Sequence, residues 1–209
     1  MREFVISDLG IISHSDADQI MREMQQKRIA DQILDTLLIC EHEEIVTIGP
    51  RARNDGISPP SDYATAPVDR GGGLTWHGPG QLVLYPIFKW DQDGESNVKA
   101  IISILEDWVI DALSTHNIQG VRDDRMQGVW IGGNKICSIG LSFLRWTSRH
   151  GLTINCNTPP GRVEMVSGCG LGQDTTTSLS ALGYEISKDD ILDSLLKHTS
   201  AISRKLITH

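Results

Sequence analysis

The sequence predicts an α+β or mixed α/β fold, a mixed β-sheet with helices packed on it, and three observations carry that prediction. Short apolar runs bounded by Gly, Pro, Asn and Asp recur along the chain, as strands require. Two or three longer segments instead space their apolar residues at helical intervals, the pattern of a one-sided helix. The two kinds of segment interleave with no linker between them, so residues 1–209 read as a single domain.

In chain order, "EFVISDL" reads as a first strand. "SHSDADQIMREMQQKRIADQIL" reads as a helix, with Ser15 a candidate N-cap and Ile20, Met21 and Met24 on one face. "DTLLICEHEEIVTIG" holds two buried strand runs around an acidic turn, and "PRARNDGISPPSD" is a loop of turn formers. "GQLVLYPIF" is a further strand. "ESNVKAIISILEDWVIDALSTHN" is the clearest helix: Ser96 can cap it, and Val98, Ile101, Ile102, Leu105, Trp108, Val109 and Ala112 form one stripe. "GVWIGGNKICSIGLSFLRW" reads as a hairpin turning at Gly132-Gly133-Asn134, and "GLTINCN" as another strand. "TPPGRVEMVSGCGLGQDTTT" is a long irregular loop. The tail "ISKDDILDSLLKHTSAISRKL" reads as an amphipathic helix, with Ser187 and Asp190 spaced as a capping box.

A chain of 209 residues buries a sizeable core without disulfides. Its net charge of −8 argues against nucleic acid as a partner, which calls for a basic face. The first residues lack an apolar signal-peptide region, and no run approaches the roughly 20 residues of a membrane span. The expectation is a cytoplasmic protein without a membrane partner. Cys40, Cys137, Cys156 and Cys169 form no C-x-x-C pair and read as reduced thiols.

The chemistry concentrates around "DRGGGLTWHGPGQLVLYP". Gly73 and Gly78 have P-loop spacing, but Pro79 follows in place of Lys-Ser/Thr, and Trp76 stands where a dinucleotide fingerprint needs glycine. The loop is therefore either a tight bend at a sheet corner or a wall of bare backbone against a ligand. His77 inside it is either structural or functional. Cys40, Cys137 and Cys156 sit in apolar strand runs, where a thiol behaves as a small hydrophobe. Cys169 is flanked by glycine on both sides, which gives access and leaves backbone N–H groups to meet an oxyanion. A reactive thiol needs help, because free cysteine titrates near ~8.5. Lys135 and His150 are candidates to supply it, although a turn lysine is ordinarily solvated. Metal-ligand spacings are absent from the sequence, and no cofactor is expected. Arg145 and Arg149 bracket "WTS" and read as a solvated rim, available to an acidic partner.

Together these segments resemble the lipoyl(octanoyl) transferase family. "RGGGLTWHGPGQLVLYP" resembles its R-G-G-x-x-T-x-H-G-P-G-Q-L signature, "GNKICSIGLSF" its Lys-Ile-x-x-Ile-Gly segment, "SRHGLTINCN" its S-x-H-G-x-x-L-N segment and "SGCG" its Cys-Gly. "LLICEHEEIVTIGPRA" matches the upstream Leu-rich strand, Glu-His and Thr-x-Gly-x-x-Ala, and the segments follow the family's order over most of the chain. Ile154 replaces the usual leucine before Asn155, the Asp-Leu after the asparagine is missing, and Gly168 replaces a frequent proline.

The resemblance implies the fold of the biotin and lipoate protein ligase catalytic domain. It implies transfer of an octanoyl group from acyl carrier protein to a lysine of lipoate-dependent domains, such as lipoyl domains of 2-oxoacid dehydrogenases and glycine-cleavage H protein. The family's nucleophile maps to Cys169, through an acyl-thioester, and its lysine to Lys135. Substrate-contacting segments map to Arg70, Gly71, Gly72, Gly73, Leu74, Thr75, Trp76 and His77, to Ser138, Ile139 and Gly140, and to His150, Gly151, Leu152 and Thr153. Two rivals remain: an ATP-dependent lipoate or biotin ligase of the same fold, disfavoured by Cys169 and by the lack of a further C-terminal domain, and a non-catalytic acyl-group binder, which would keep the glycine loop but would not need both Lys135 and Cys169.

Overall fold

The computed structural model describes residues 1–95, 97–166 and 175–207. Its frame is a seven-stranded mixed sheet built from β1 (Arg2–Ile12), β2 (Asp35–His42), β6 (Gln81–Ile87), β7 (Gly128–Ile131), β8 (Asn134–Leu144), β9 (Thr147–Asn155) and β10 (Arg204–Leu206). The spatial order is β10-β1-β2-β6-β9-β8-β7. β1 runs parallel to β10 and β2, and every later pairing in the sheet is antiparallel. A small second sheet holds β3 (Ile45–Ile48) between β4 (Thr65–Pro67) and β5 (Leu74–His77).

The helices divide between the two faces of the large sheet. α3 (Val98–Ser114) and α4 (Lys188–Lys197) cover one face, burying Ile101, Leu105, Trp108 and Leu195 against Leu84, Ile139, Leu152 and Ile154. α1 (His14–Ile29) covers part of the other, where Ala17 and Met21 meet Leu38, Cys40, Val83 and Tyr85. The small sheet stands beside α1 on that second face, with its own core of Val46, Ala52, Leu74, Trp76, Val163 and Val166. Central strands buried on both sides read as continuous apolar runs, which is why β6 was legible in the sequence.

Several local expectations are corrected. The cap of α1 is Ser13, whose hydroxyl accepts from the Asp16 N–H; Ser15 lies inside the helix, which stops at Ile29. The cap of α3 is Asn97, whose side chain accepts from the Ala100 N–H, while Ser96 lies outside the described residues. Val98 leaves the predicted stripe and is exposed. "PRARN" is a short helix, α2 (Pro50–Asn54), with proline at its first turn, where a missing N–H costs nothing. The tail is not one helix. The Ser187–Asp190 capping box starts α4 as predicted. A 3-10 turn over Thr199–Ile202 then ends at Ser203 in the left-handed region, and β10 follows.

The hairpin turn at Gly132-Gly133 is as predicted, with both glycines at positive φ (55° and 86°) between paired Ile131 and Asn134. A second two-residue turn joins β8 to β9, and there Arg145 and Trp146 take positive φ (47° and 58°) without glycine.

Candidate active site

The candidate site lies on the second face of the large sheet, between β5, β8 and β9. Two local features turn the sequence of β8 toward it. Pairing runs Cys137 to Val129 and then Lys135 to Trp130, so Ile136 is an extra residue in the strand. This bulge lets Ile136 and Cys137 both enter the core under α3 while Lys135 turns to the cavity. Gly128 on β7 makes room for the lysine: a Cβ there would stand 2.7 Å from Lys135 Cε and 2.0 Å from the Cys137 carbonyl oxygen. Lys135 is therefore a buried residue, 3% exposed, and not a solvated turn lysine.

The glycine loop closes over the free part of β8. The Gly71 N–H donates to Leu141 O at 3.0 Å. Arg70 gathers the loop from inside: its guanidinium donates to Gly71 O, Gly73 O, Thr47 O and, at 2.7 Å, to Thr47 Oγ1. Gly49, at the start of α2, donates to Gly73 O and approaches so closely that a Cβ would lie 2.3 Å from Gly72 O. Gly140 is equally pressed, with 2.8 Å between a built Cβ and Gly71 O. Gly72 itself needs positive φ, 93°. Much of what approaches these glycines is the chain's own backbone.

Beneath the loop a cleft of about 340 Å³ is bordered by Arg51, Arg125 and Met126 at its mouth and by Lys135, Ser138 and Thr75 at its floor. Ser138 and Thr75 also border two tighter cavities. One runs past Thr153, Asn155 and Trp76 to Val163 and Val166. The other runs inward to His77, Tyr85, His150 and His14. Arg70, Gly71, Gly72, Gly73, Leu74, Thr75, Trp76, His77, Ser138, Ile139, Gly140, His150, Gly151, Leu152 and Thr153 all border this connected space. Ile139 and Leu152 do so from the strands' other side, since both belong to the core under α3.

His77 is fully committed to the protein. Gln81 donates through Nε2 to Trp76 O and Asn155 Oδ1, which points its Oε1 at His77 Nδ1 (2.9 Å). His77 Nδ1–H therefore donates, and Nε2 faces Thr47 Oγ1 at 3.2 Å. His150 donates from Nε2 to Asp69 Oδ1 at 2.9 Å and takes a left-handed φ of 60°, a strained conformation for histidine. That turn of the backbone lets Arg149 reach the same carboxylate and also Asp18 at 3.0 Å. Arg149 is buried and ion-paired, which overturns the expectation of a solvated rim residue; Arg145 at the hairpin tip is exposed. The Asp69 carboxyl is held low: burial pushes it up, but hydrogen bonds from His150 and Arg149 outweigh that. Burial depresses His14 and His150 to about 4, and His42 and His77 are depressed for the same reason. The inner cavity is thus walled by neutral imidazoles at neutral pH.

Cys40 on β2 and Cys137 on β8 are buried strand thiols, and Cys156, expected in a strand, is buried just past the end of β9; burial pushes all three up to about 12, so none of them ionises readily. Cys169 lies outside the described residues. The chain on either side of it is placed. Val166 borders the cavity that Lys135 also borders. On the other side, the Lys135 N–H donates to Thr175 O at 2.7 Å and the Thr177 N–H donates to Lys135 O at 2.9 Å. Among the described residues no group of three or more His, Cys, Asp and Glu is arranged to hold a metal ion. No helix among them is long and apolar enough to cross a membrane.

Sequence reasoning did not single out Thr47, Tyr85, Asn155, His14 or Asp69 for the site. Thr47, Asp69, Tyr85 and Asn155, like Gln81 and His42, stood inside the motifs of the sequence, which was a signal. His14 carried none, because the histidines it meets are distant in the chain.

Residues 16–200 match the lipoyl protein ligase A/B catalytic domain family. The octanoyltransferase of Syntrophobacter fumaroxidans is 33% identical over 205 residues, covering 95% of this chain and 90% of the relative. That of Chloroflexus aggregans is 36% identical over 212 residues, covering 97% and 96%. Among solved structures, lipoate-protein ligase A bound with ATP superposes with a TM-score of 0.67 at 13% identity, covering 100% of this chain and 90% of that one. Biotin protein ligase from Aquifex aeolicus gives 0.55 at 15% identity, covering 96% and 68%. These likenesses show the fold, a mixed sheet of lipoate- and biotin-ligase type. With residues 16–200 matched by the family's catalytic domain and relatives matched along nearly their whole length, the chain belongs to the octanoyltransferase family, acyltransferases built on the lipoyl protein ligase A/B catalytic domain.

Proposed function

We propose that this protein moves an octanoyl or lipoyl group from acyl carrier protein to a specific lysine of lipoate-dependent domains, through a thioester on Cys169. The lipoyl domains of 2-oxoacid dehydrogenases and glycine-cleavage H protein are the acceptors in this reading, and residues 1–209 act as one catalytic unit. The observation that carries it is the position of Lys135. It is buried on the cleft floor, and its backbone binds the residues that follow the Cys169 segment, while Val166, three positions before Cys169, borders the same cavity.

In the first half-reaction the Cys169 thiolate attacks the carbonyl carbon of the donor thioester. The carrier's C–S bond breaks, its thiol leaves with a proton, and the acyl group stays on Cys169. In the second, the acceptor lysine's amine attacks the new thioester, the Cys169 C–S bond breaks, and an amide forms. Lys135 supplies positive charge beside the thiolate in the first step and gives its proton to the departing carrier thiolate. Neutral after that transfer, in the second step it takes the proton that the attacking amine must lose, and the Cys169 thiolate is regenerated. Ser138 and Thr75 flank the acyl carbonyl, and the inner cavity receives the alkyl chain.

Intact-mass spectrometry after incubation with octanoyl-acyl carrier protein, without ATP, tests this. The expected result is a gain of one octanoyl group, removable by hydroxylamine, lost in Cys169→Ala and kept in Cys40→Ala, Cys137→Ala and Cys156→Ala. No gain without ATP, or a gain that survives Cys169→Ala, overturns the covalent mechanism.

A further inference from the structure

The inner cavity has an end, and one side chain makes it. His14, the first residue of α1, is 6% exposed and borders the inner cavity beside His77, His150 and Tyr85. On its other side lies a groove of about 380 Å³ open to solvent, floored by Ile45, Ala66 and Val68 between α1 and the small sheet. His14 alone borders both spaces. Its ring is held by packing, with ring centroids 5.4 Å from His42, 5.8 Å from His77 and 6.4 Å from His150.

Resting on the acyl transfer proposed above, we propose that His14 is the end wall of the acyl cavity and sets the longest acyl chain the protein accepts. The cavity is narrow, about 20 Å³ before anything enters it, so an alkyl chain passing Ser138 and Thr75 must widen it and ends against the imidazole. A longer chain must displace a ring packed among three others, and overfilling a packed site is costly. Without the ring the cavity opens into the groove, where the extra methylenes meet Ile45, Ala66 and Val68 beside a charged border of Asp18, Arg22, Glu43 and Glu44. Each methylene buried there is worth about 0.8 kcal/mol, roughly fourfold in affinity or kcat/KM. Burial keeps the wall uncharged at neutral pH, so it tolerates a terminal methyl group.

The test compares hexanoyl-, octanoyl- and dodecanoyl-acyl carrier protein as donors for wild type, His14→Ala, His14→Phe and His14→Trp. His14→Ala is expected to raise the dodecanoyl-to-octanoyl ratio of kcat/KM at least tenfold. His14→Phe, which keeps the ring, should hold the ratio within about twofold of wild type, and His14→Trp should shift preference from octanoyl toward hexanoyl. Calorimetric titration with free octanoate and dodecanoate reads the same wall without any chemistry at Cys169. If no acyl-enzyme forms on wild type, the transfer reaction fails, and the binding ratio still decides the wall. An unchanged ratio in His14→Ala, an equal shift in Ala and Phe, or no binding of either fatty acid overturns the inference.

Discussion

Lys135 shows how much one residue's setting can alter what its type suggests. In the sequence it follows a Gly-Gly-Asn turn, the commonest place for a solvated lysine. A single extra residue, Ile136, turns its side chain toward the cleft while Lys135 stays paired with Trp130 in the β7–β8 ladder. Gly128 then leaves room for its side chain. An arginine at this position keeps the charge but does not deprotonate near neutral pH. Lys135→Arg is therefore expected to slow transfer to the acceptor lysine at least tenfold more than it slows acylation of Cys169. Rapid-quench measurement of each half-reaction checks this; equal losses would leave Lys135 with thiol activation alone. The three described cysteines make the contrasting case. Cys40 and Cys137 sit in strands as their apolar runs predict, Cys156 lies just past the end of β9, and burial is the largest cause that makes each inert.

At the scale of elements, the two hairpins of β7–β8–β9 solve one problem differently. A two-residue connection between right-twisted strands needs positive φ at both turn residues. Glycines provide it at 132–133, whereas Arg145 and Trp146 meet the same demand against the left-handed penalty, on the order of 1 kcal/mol each. Trp146 gains a ring contact with Phe143 (6.2 Å), and its carbonyl accepts from the Trp90 N–H at 2.8 Å, which ties this tip to the end of β6. Arg145 is exposed, and asparagine adopts its conformation more readily. Arg145→Asn is expected to raise Tm by about 2 °C, the shift of roughly 0.5–1 kcal/mol at this chain length. Calorimetric scans of the two proteins decide it, and an unchanged or lower Tm would mean that the turn is not strained.

Across the whole molecule, charges far apart in sequence hold the sheet's edge and the cavity's wall. Arg204 on β10 is fully buried between the rings of Phe88 and Trp90, and it donates to Asp35 on β2 at 2.7 Å and to Glu95 at 2.6 Å. Asp35 also accepts from Arg28 at the end of α1, so α1, β2 and β10 share one buried ionic network. The histidine cluster gives the molecule its pH response. His14 and His150 titrate at about 4 when folded, pushed down by burial, against an ordinary value near 6.5. Asp18 and Asp69 pull them up, while Arg70 and, for His150, Arg149 push them down. Between those values the unfolded chain binds more protons than the folded one, so stability is complete above about pH 6.5 and falls as pH drops toward 4. Each histidine then forfeits on the order of 2 kcal/mol by pH 5. Urea midpoints measured from pH 8 to 5 should be flat above 7 and decline below 6.5. A midpoint that rose on acidification would contradict this account of the cluster.

The sequence by itself determined most of the elements and the location of the chemistry. Period-2 and continuous apolar runs marked the strands, the apolar stripe marked α3, and the capping box marked the start of α4. Turn glycines placed the first hairpin, and these features are local, so local physics decides them. That the glycine loop, β8 and β9 share one site was implied only by the family resemblance of their motifs. Caps slipped by one or two residues at Ser13 and Asn97, because neighbouring polar residues compete for the same N–H groups. Only tertiary structure decided which neutral histidines gather behind the cleft, that Arg149 is a buried partner of Asp18 and Asp69, and that the tail breaks to add β10 beside β1. Each of those depends on burial and on charges brought together from opposite ends of the chain, and neither quantity has a value until the strands are paired.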